Sequence, residues 1–135
     1  MINEQNAINE ILQNWEGLIK LINSGEQGHL FPGAGWIQSS TPHKFYNLPF
    51  LLAYTILDEV LEQLKNEGVF NCNTWMLGPK MEASRNIIPW KNYNLVNSGR
   101  EARNDLAHKA ITLNKTDCLK YIAAIETELK NWEII

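Results

Sequence analysis

The chain has 135 residues and a net charge of −3, from 12 Lys and Arg against 15 Asp and Glu. That length suits one domain with its own core, and 44% hydrophobic with 20% charged residues is a globular composition. The acidic balance argues against a broad electrostatic surface for nucleic acid, while leaving room for a local basic groove.

Asn3, Glu4, Asn6, Asn9 and Glu10 stand where a secretory signal would carry a basic segment and an apolar run. No apolar stretch approaches the ~18 residues of a membrane span. The expectation is a soluble, cytoplasmic protein with no membrane partner. Cys72 and Cys118 lack metal-type spacing and read as two reduced thiols.

Residues from about 3 to 23 predict an amphipathic helix. Ile8, Ile11, Leu12, Trp15, Leu18, Ile19 and Ile22 recur on one face. Asn23-Ser24-Gly25 supplies turn chemistry at its end. Residues 24–47 hold Gly25, Gly28, Gly33, Gly35, Pro32 and Pro42 and show no period, so they read as a long loop. Leu30, Phe31, Trp36, Ile37, Phe45 and Tyr46 are apolar enough to pack back on the rest. His29 and His43 have no Cys, Asp or Glu at ligand spacing beside them. Gly33-Ala34-Gly35 has no Gly-Lys-Ser/Thr after it and no strand before it, so it is not a phosphate loop.

The most apolar helix is expected over about 48–67, capped by Asn47 with Pro49 in its first turn. Phe50, Tyr54, Leu57, Leu61 and Leu64 form its main face, widened by Leu51, Ala53, Ile56 and Val60. That makes it the central helix, and Gly68 stops it. Asp58, Glu59, Glu62 and Glu67 read as a solvated face. Glu59 and Glu62 have the spacing of a di-metal bundle, but no Glu-x-x-His completes such a site. A short helix follows between about 75 and 87, or from Pro79, and Ile88-Pro89 breaks it.

Trp90 to about Lys109 is the next helix and carries the chemistry. At about 100° per residue, Leu95, Ala102 and Leu106 form an apolar sector. Asn97, Arg100, Asn104 and His108 form a polar stripe on the opposite side, bordered by Glu101 and Asp105. Arg103 lies beside Val96 and Ala107 at the edge of the core. Gly99 costs about 1 kcal/mol against Ala in a helix and permits either a kink or a close helix approach. Asn114 or Thr116 caps the last helix, where Cys118, Ile122, Ile125, Leu129 and Trp132 make a narrow apolar seam. Four main helices plus one short helix, without a strand, predict an all-α up-and-down bundle.

Arg103-Asn104-Asp105-Leu106-Ala107-His108 resembles the Arg-x4–6-His motif of HEPN domains (higher eukaryotes and prokaryotes nucleotide-binding), where Asn often follows the Arg. The resemblance implies a helical bundle and metal-independent RNA cleavage by a homodimer, with two motifs at a shared cleft. It implies Arg103 and His108 as the catalytic pair, Asn104 as supporting residue, and no cofactor. It also admits a toxin or phage-defence role, with a nucleotidyltransferase-type antitoxin as partner. Family members without catalysis imply the alternative: a module binding a nucleotide, RNA or a protein.

The residue chemistry agrees with that expectation. An imidazole both takes and gives protons near neutral pH, and a guanidinium offers a planar fork of donors to phosphate. The Asn104 amide, four residues before His108, is within reach of its ring. Arg100 and Lys109 add candidate phosphate contacts. The plainer reading is a solvated helix face whose last-turn His complements the helix dipole.

Overall fold

The computed structural model describes residues 1–26, 29–31, 35–37 and 43–135. Five helices carry the fold: α1 (Gln5–Glu26), α2 (Asn47–Asn66), α3 (Leu77–Ser84), α4 (Tyr93–Lys109) and α5 (Lys115–Asn131). Four are long and one is short, and they pack together as a bundle. The stretch read as one long loop holds a minimal antiparallel hairpin, β1 (His29–Phe31) with β2 (Gly35–Ile37), and a 3-10 turn at His43–Tyr46. Three residues per strand leave the all-α class unchanged. The expectations for Leu30, Phe31, Trp36, Ile37, His29, His43 and the Gly33-Ala34-Gly35 run lie outside the described residues or side chains. Phe45 and Tyr46 do pack on the core.

α2 packs against all four other helices and is the central element. Phe50, Ala53, Tyr54, Leu57, Val60, Leu61 and Leu64 are fully buried on it, each large apolar side chain contributing roughly 1.5–3 kcal/mol of transfer free energy. Gly68, at φ 81, ends the helix. Its N–H bonds Lys65 O and the Val69 N–H bonds Leu64 O, a left-handed terminus that glycine adopts without steric cost. α1 covers α2 with Ile11, Trp15 and Leu18, while Leu12 stays 37% exposed. α5 buries Cys118, Ile122, Ile125 and Leu129, and Trp132 at its C-cap completes the expected seam.

Asn47 does not cap α2. It is the first helical residue and is buried, and its side chain pairs with backbone instead. Nδ2 donates to Lys44 O and Leu113 O, while Oδ1 accepts from Leu113 N at 2.9 Å. The amide therefore fastens the α4–α5 connection to the start of α2. Asn114, one of the two expected caps, accepts from Asp117 N at 2.8 Å.

The acidic face of α2 is only partly a solvated one. Lys80 of α3 is 2% exposed and forms ion pairs with Asp58 and Glu62. Burial lowers the Lys80 pKa, but the hydrogen bonds and charges of Asp58 and Glu62 outweigh it and raise the ammonium above its ordinary value. α3 is tethered to α2 by that charge cluster. The segment after it is pinned to α5: Trp132 Nε1 donates to Pro89 O at 3.0 Å, and the Trp90 and Trp132 rings meet edge to face at 4.8 Å.

Candidate functional site

α4 presents the motif, and its start is set later than the sequence suggested. Asn92 is the N-cap, its Oδ1 accepting from Leu95 N at 3.2 Å. Glu128 of α5, 1% exposed, accepts from Lys91 N at 2.7 Å and from Asn92 N at 3.1 Å. A buried carboxylate thus takes two backbone N–H groups beside the positive end of the helix dipole. Glu128 interrupts an otherwise apolar seam, and its partners are main-chain groups that no side-chain pattern announces.

The fully buried residues of α4 are Val96 and Gly99, whereas Leu95, Ala102 and Leu106 are half-buried. The inward face is therefore rotated toward Val96 from the expected sector. Gly99 marks a close approach rather than a break in the helix. A Cβ there would overlap the Tyr54 hydroxyl of α2 and lie 2.7 Å from Cδ1 of Tyr121 on α5. Tyr54 donates to Val96 O at 2.7 Å. Burial pushes its phenol well above the ordinary 10.0 and Tyr121 adds to the rise, while the Arg100 and Arg103 charges oppose it. Tyr54 therefore remains a hydrogen-bond donor across the working range.

Arg103 lies one turn beyond Gly99 and is half-buried, as are Asn104 and Arg100; His108 and Lys109 are exposed. The side chains of Arg103, Asn104 and His108 make no hydrogen bond or ion pair among the described residues. The anticipated Asn104–His108 hydrogen bond is absent. Arg103 and His108 are about 140° apart around α4, counted at 100° per residue. One protomer thus directs its cation and its imidazole to different sides of the helix. Lys109 Nζ sits 3.7 Å from Asp105 Oδ1 on the surface, so its charge is shared. Arg100 Nε donates to Asn97 Oδ1 at 2.9 Å, and Gly78 of α3 leaves room for its guanidinium: a Cβ there would stand 3.2 Å from Nη1.

The C-terminal end is open. Residues 107–112 are all exposed. Ala110 ends α4 at φ 53, ψ 32, with its N–H on Asp105 O, a left-handed position where glycine is the usual residue. His108 and Lys109 place positive or protonatable groups in the last turn, next to the negative end of the dipole.

Among the described residues no three His, Cys, Asp or Glu side chains converge as a metal-holding group. No helix among them is long and apolar enough to cross a membrane. A separate cavity of about 460 Å³ lies among α1, α2 and the Trp75–Lys80 stretch, lined by Glu10, Glu59, Lys80 and Trp75 among others, and includes no motif residue. Comparison with protein-family models, with curated proteins and with solved structures gives no match.

Proposed function

We propose that the protein is an HEPN-like endoribonuclease that cuts RNA without a metal as a homodimer, in the role of a toxin or a phage-defence component. The observation that carries the reading is that the side chains of Arg103, Asn104 and His108 have no hydrogen bond or ion pair among the described residues. Half-buried and exposed polar groups in one motif, with Arg103 engaged only through its charge on the Tyr54 phenol, are available to a ligand.

The chemistry assigned to them is transesterification. The ribose 2′-oxygen attacks phosphorus, a base takes its proton, and the 5′-oxygen leaves with a proton from an acid. The products are a 2′,3′-cyclic phosphate and a free 5′-hydroxyl. His108 is the proton-transfer group, and Arg103 stabilises charge on the phosphorane oxygens. Each chain has one imidazole in the motif and turns it away from Arg103. A two-fold pair of α4 helices supplies the second imidazole and sets the Arg103 of one protomer toward the His108 of its partner. Asn104 contributes an amide to the same polar face.

Purified protein incubated with RNA in EDTA tests this, with Arg103→Ala and His108→Ala alongside. Cleavage by the wild type, lost by about 10²-fold or more in both variants, is the expected result. Equal activity in all three proteins, or none in any, contradicts the reading.

A second reading is a non-catalytic module, an HEPN-like bundle binding a nucleotide, RNA or a protein. The exposed pair Trp75 (81%) and Met76 (54%) favours a protein partner, such as a nucleotidyltransferase-type antitoxin. A protein that is harmless when overproduced and leaves RNA intact, yet loses a defined partner on Trp75→Ala, belongs to that reading.

A further inference from the structure

The polar side of α4 does not stop at the motif. At about 100° per residue, Tyr93, Asn97, Arg100 and Asn104 lie within one narrow sector and lead to His108. Fifteen steps of about 1.5 Å rise make this line about 22 Å long. Its central cation, Arg100, has no ion pair among the described residues. Its Nε is held by Asn97, and the guanidinium packs over Gly78, where a Cβ would stand 3.2 Å from Nη1. At the far end Arg85 of the α3–α4 connection lies over the Tyr93 ring, 4.4 Å from its centroid. Glu82 braces this stack, accepting from Tyr93 Oη at 3.0 Å and lying 3.8 Å from Arg85 Nη1. The Arg85 side chain is 44% exposed, so the guanidinium is open to a further flat group.

A permanent cation at mid-length and an arginine–aromatic stack at the end are the two devices by which proteins hold single strands: charge for phosphate, a flat surface for a base. Resting on the ribonuclease reading, we infer that single-stranded RNA beside the cleaved bond runs along α4 toward its N-terminus, with a phosphate on Arg100 and a base on the Arg85–Tyr93 stack. The length of the line suits a strand of about four nucleotides. The site therefore selects unpaired RNA over a duplex, whose bases are not free to stack on Arg85.

The test is fluorescence anisotropy with a fluorescein-labelled, fully 2′-O-methylated RNA decamer, which cannot be cut, titrated at several KCl concentrations. Arg100→Ala and Arg85→Ala are expected to weaken binding several-fold, and Arg100→Ala to lower the slope of log Kd against log salt by about 0.7. Arg100→Lys, which keeps the charge, restores the slope and shows that the Ala variant acts through charge. Lys20→Ala, on α1, leaves affinity and slope unchanged. A duplex of the same sequence binds more weakly than the single strand. Wild-type affinity and slope in both Arg→Ala variants overturn the track, even where RNA cleavage that depends on His108 upholds the ribonuclease reading. Binding that needs Arg85 and Arg100 in a protein that never cuts RNA supports the track and overturns that reading.

Discussion

The hydroxyl of Tyr54 on α2 occupies the space that a side chain on Gly99 of α4 would fill, and it donates to Val96 O from there. The two residues fix how closely the motif helix lies against the central one. Gly99→Ala is expected to destabilise the protein by about 1–3 kcal/mol, the range for an overpacked core. The penalty shrinks in a Tyr54→Phe background, where the colliding oxygen is gone. Urea denaturation of the two single variants and the double variant measures the coupling.

The Lys80 cluster predicts an acid-sensitive tether. Hydrogen bonds from Lys80 and then Lys65 hold the Glu62 carboxyl below its ordinary 4.5. A folded pKa below the unfolded one gives stability that is fully present above 4.5 and is lost as pH falls through the depressed value. Lys80 has the opposite sign: its raised pKa gives stability present below 10.5 that fades as pH rises past it. Lys80→Met is expected to cost about 1–3 kcal/mol at neutral pH. It also flattens the loss of stability below pH 4.5. Thermal melts at pH 3, 4, 5 and 7, wild type against variant, read both effects.

Thiol reactivity should separate the two cysteines. Cys118 is fully buried, and burial followed by the nearby Asp117 pushes its thiol up to about 11. Cys72 is half-buried, its Sγ 3.5 Å from Thr74 O. Iodoacetamide at pH 8 on native protein should label Cys72 first, and Cys118 should react only after unfolding. Peptide mass analysis of the alkylated protein distinguishes the sites.

Ala110 adopts a left-handed conformation at the end of α4. Ala110→Gly removes the Cβ penalty there and is expected to stabilise the fold by about 0.5–1 kcal/mol. Equilibrium denaturation checks the sign. Under the proposed ribonuclease reading, RNA cleavage by the same variant tests whether the end of the motif helix must be held in this geometry.

The bundle was legible because α2 and α5 carry their burial as apolar periodicity. Leu57, Leu61 and Leu64, or Ile122, Ile125 and Leu129, declare a face without any knowledge of what they touch. Gly68 and Asn114 announced their ends for the same local reason. Lys80 and Glu128 were invisible because a charged residue reads as exposed unless its partners are known. Asp58 and Glu62 lie about twenty residues before Lys80, and the partners of Glu128 are backbone N–H groups of another segment. Asn47 has the residue type of a cap, but a distant backbone, Leu113, claimed its amide. In the candidate site the identities of Arg103, Asn104 and His108 stood out in the sequence, as did their differing directions around the helix. The close packing of Arg100 on Gly78 and the Arg85–Tyr93 stack depend on how α3 meets α4, which no local pattern encodes.

The motif helix is clamped at both ends of its reach, by Glu128 beneath its first turn and by Asn47 just past its last. Between the second clamp and the packed body of the helix, residues 107–112 form a short bridge with water on its outer side. A second macromolecule can seat against that bridge without prying anything out of the interior. The anchoring on either side keeps His108 at a fixed height as it does so.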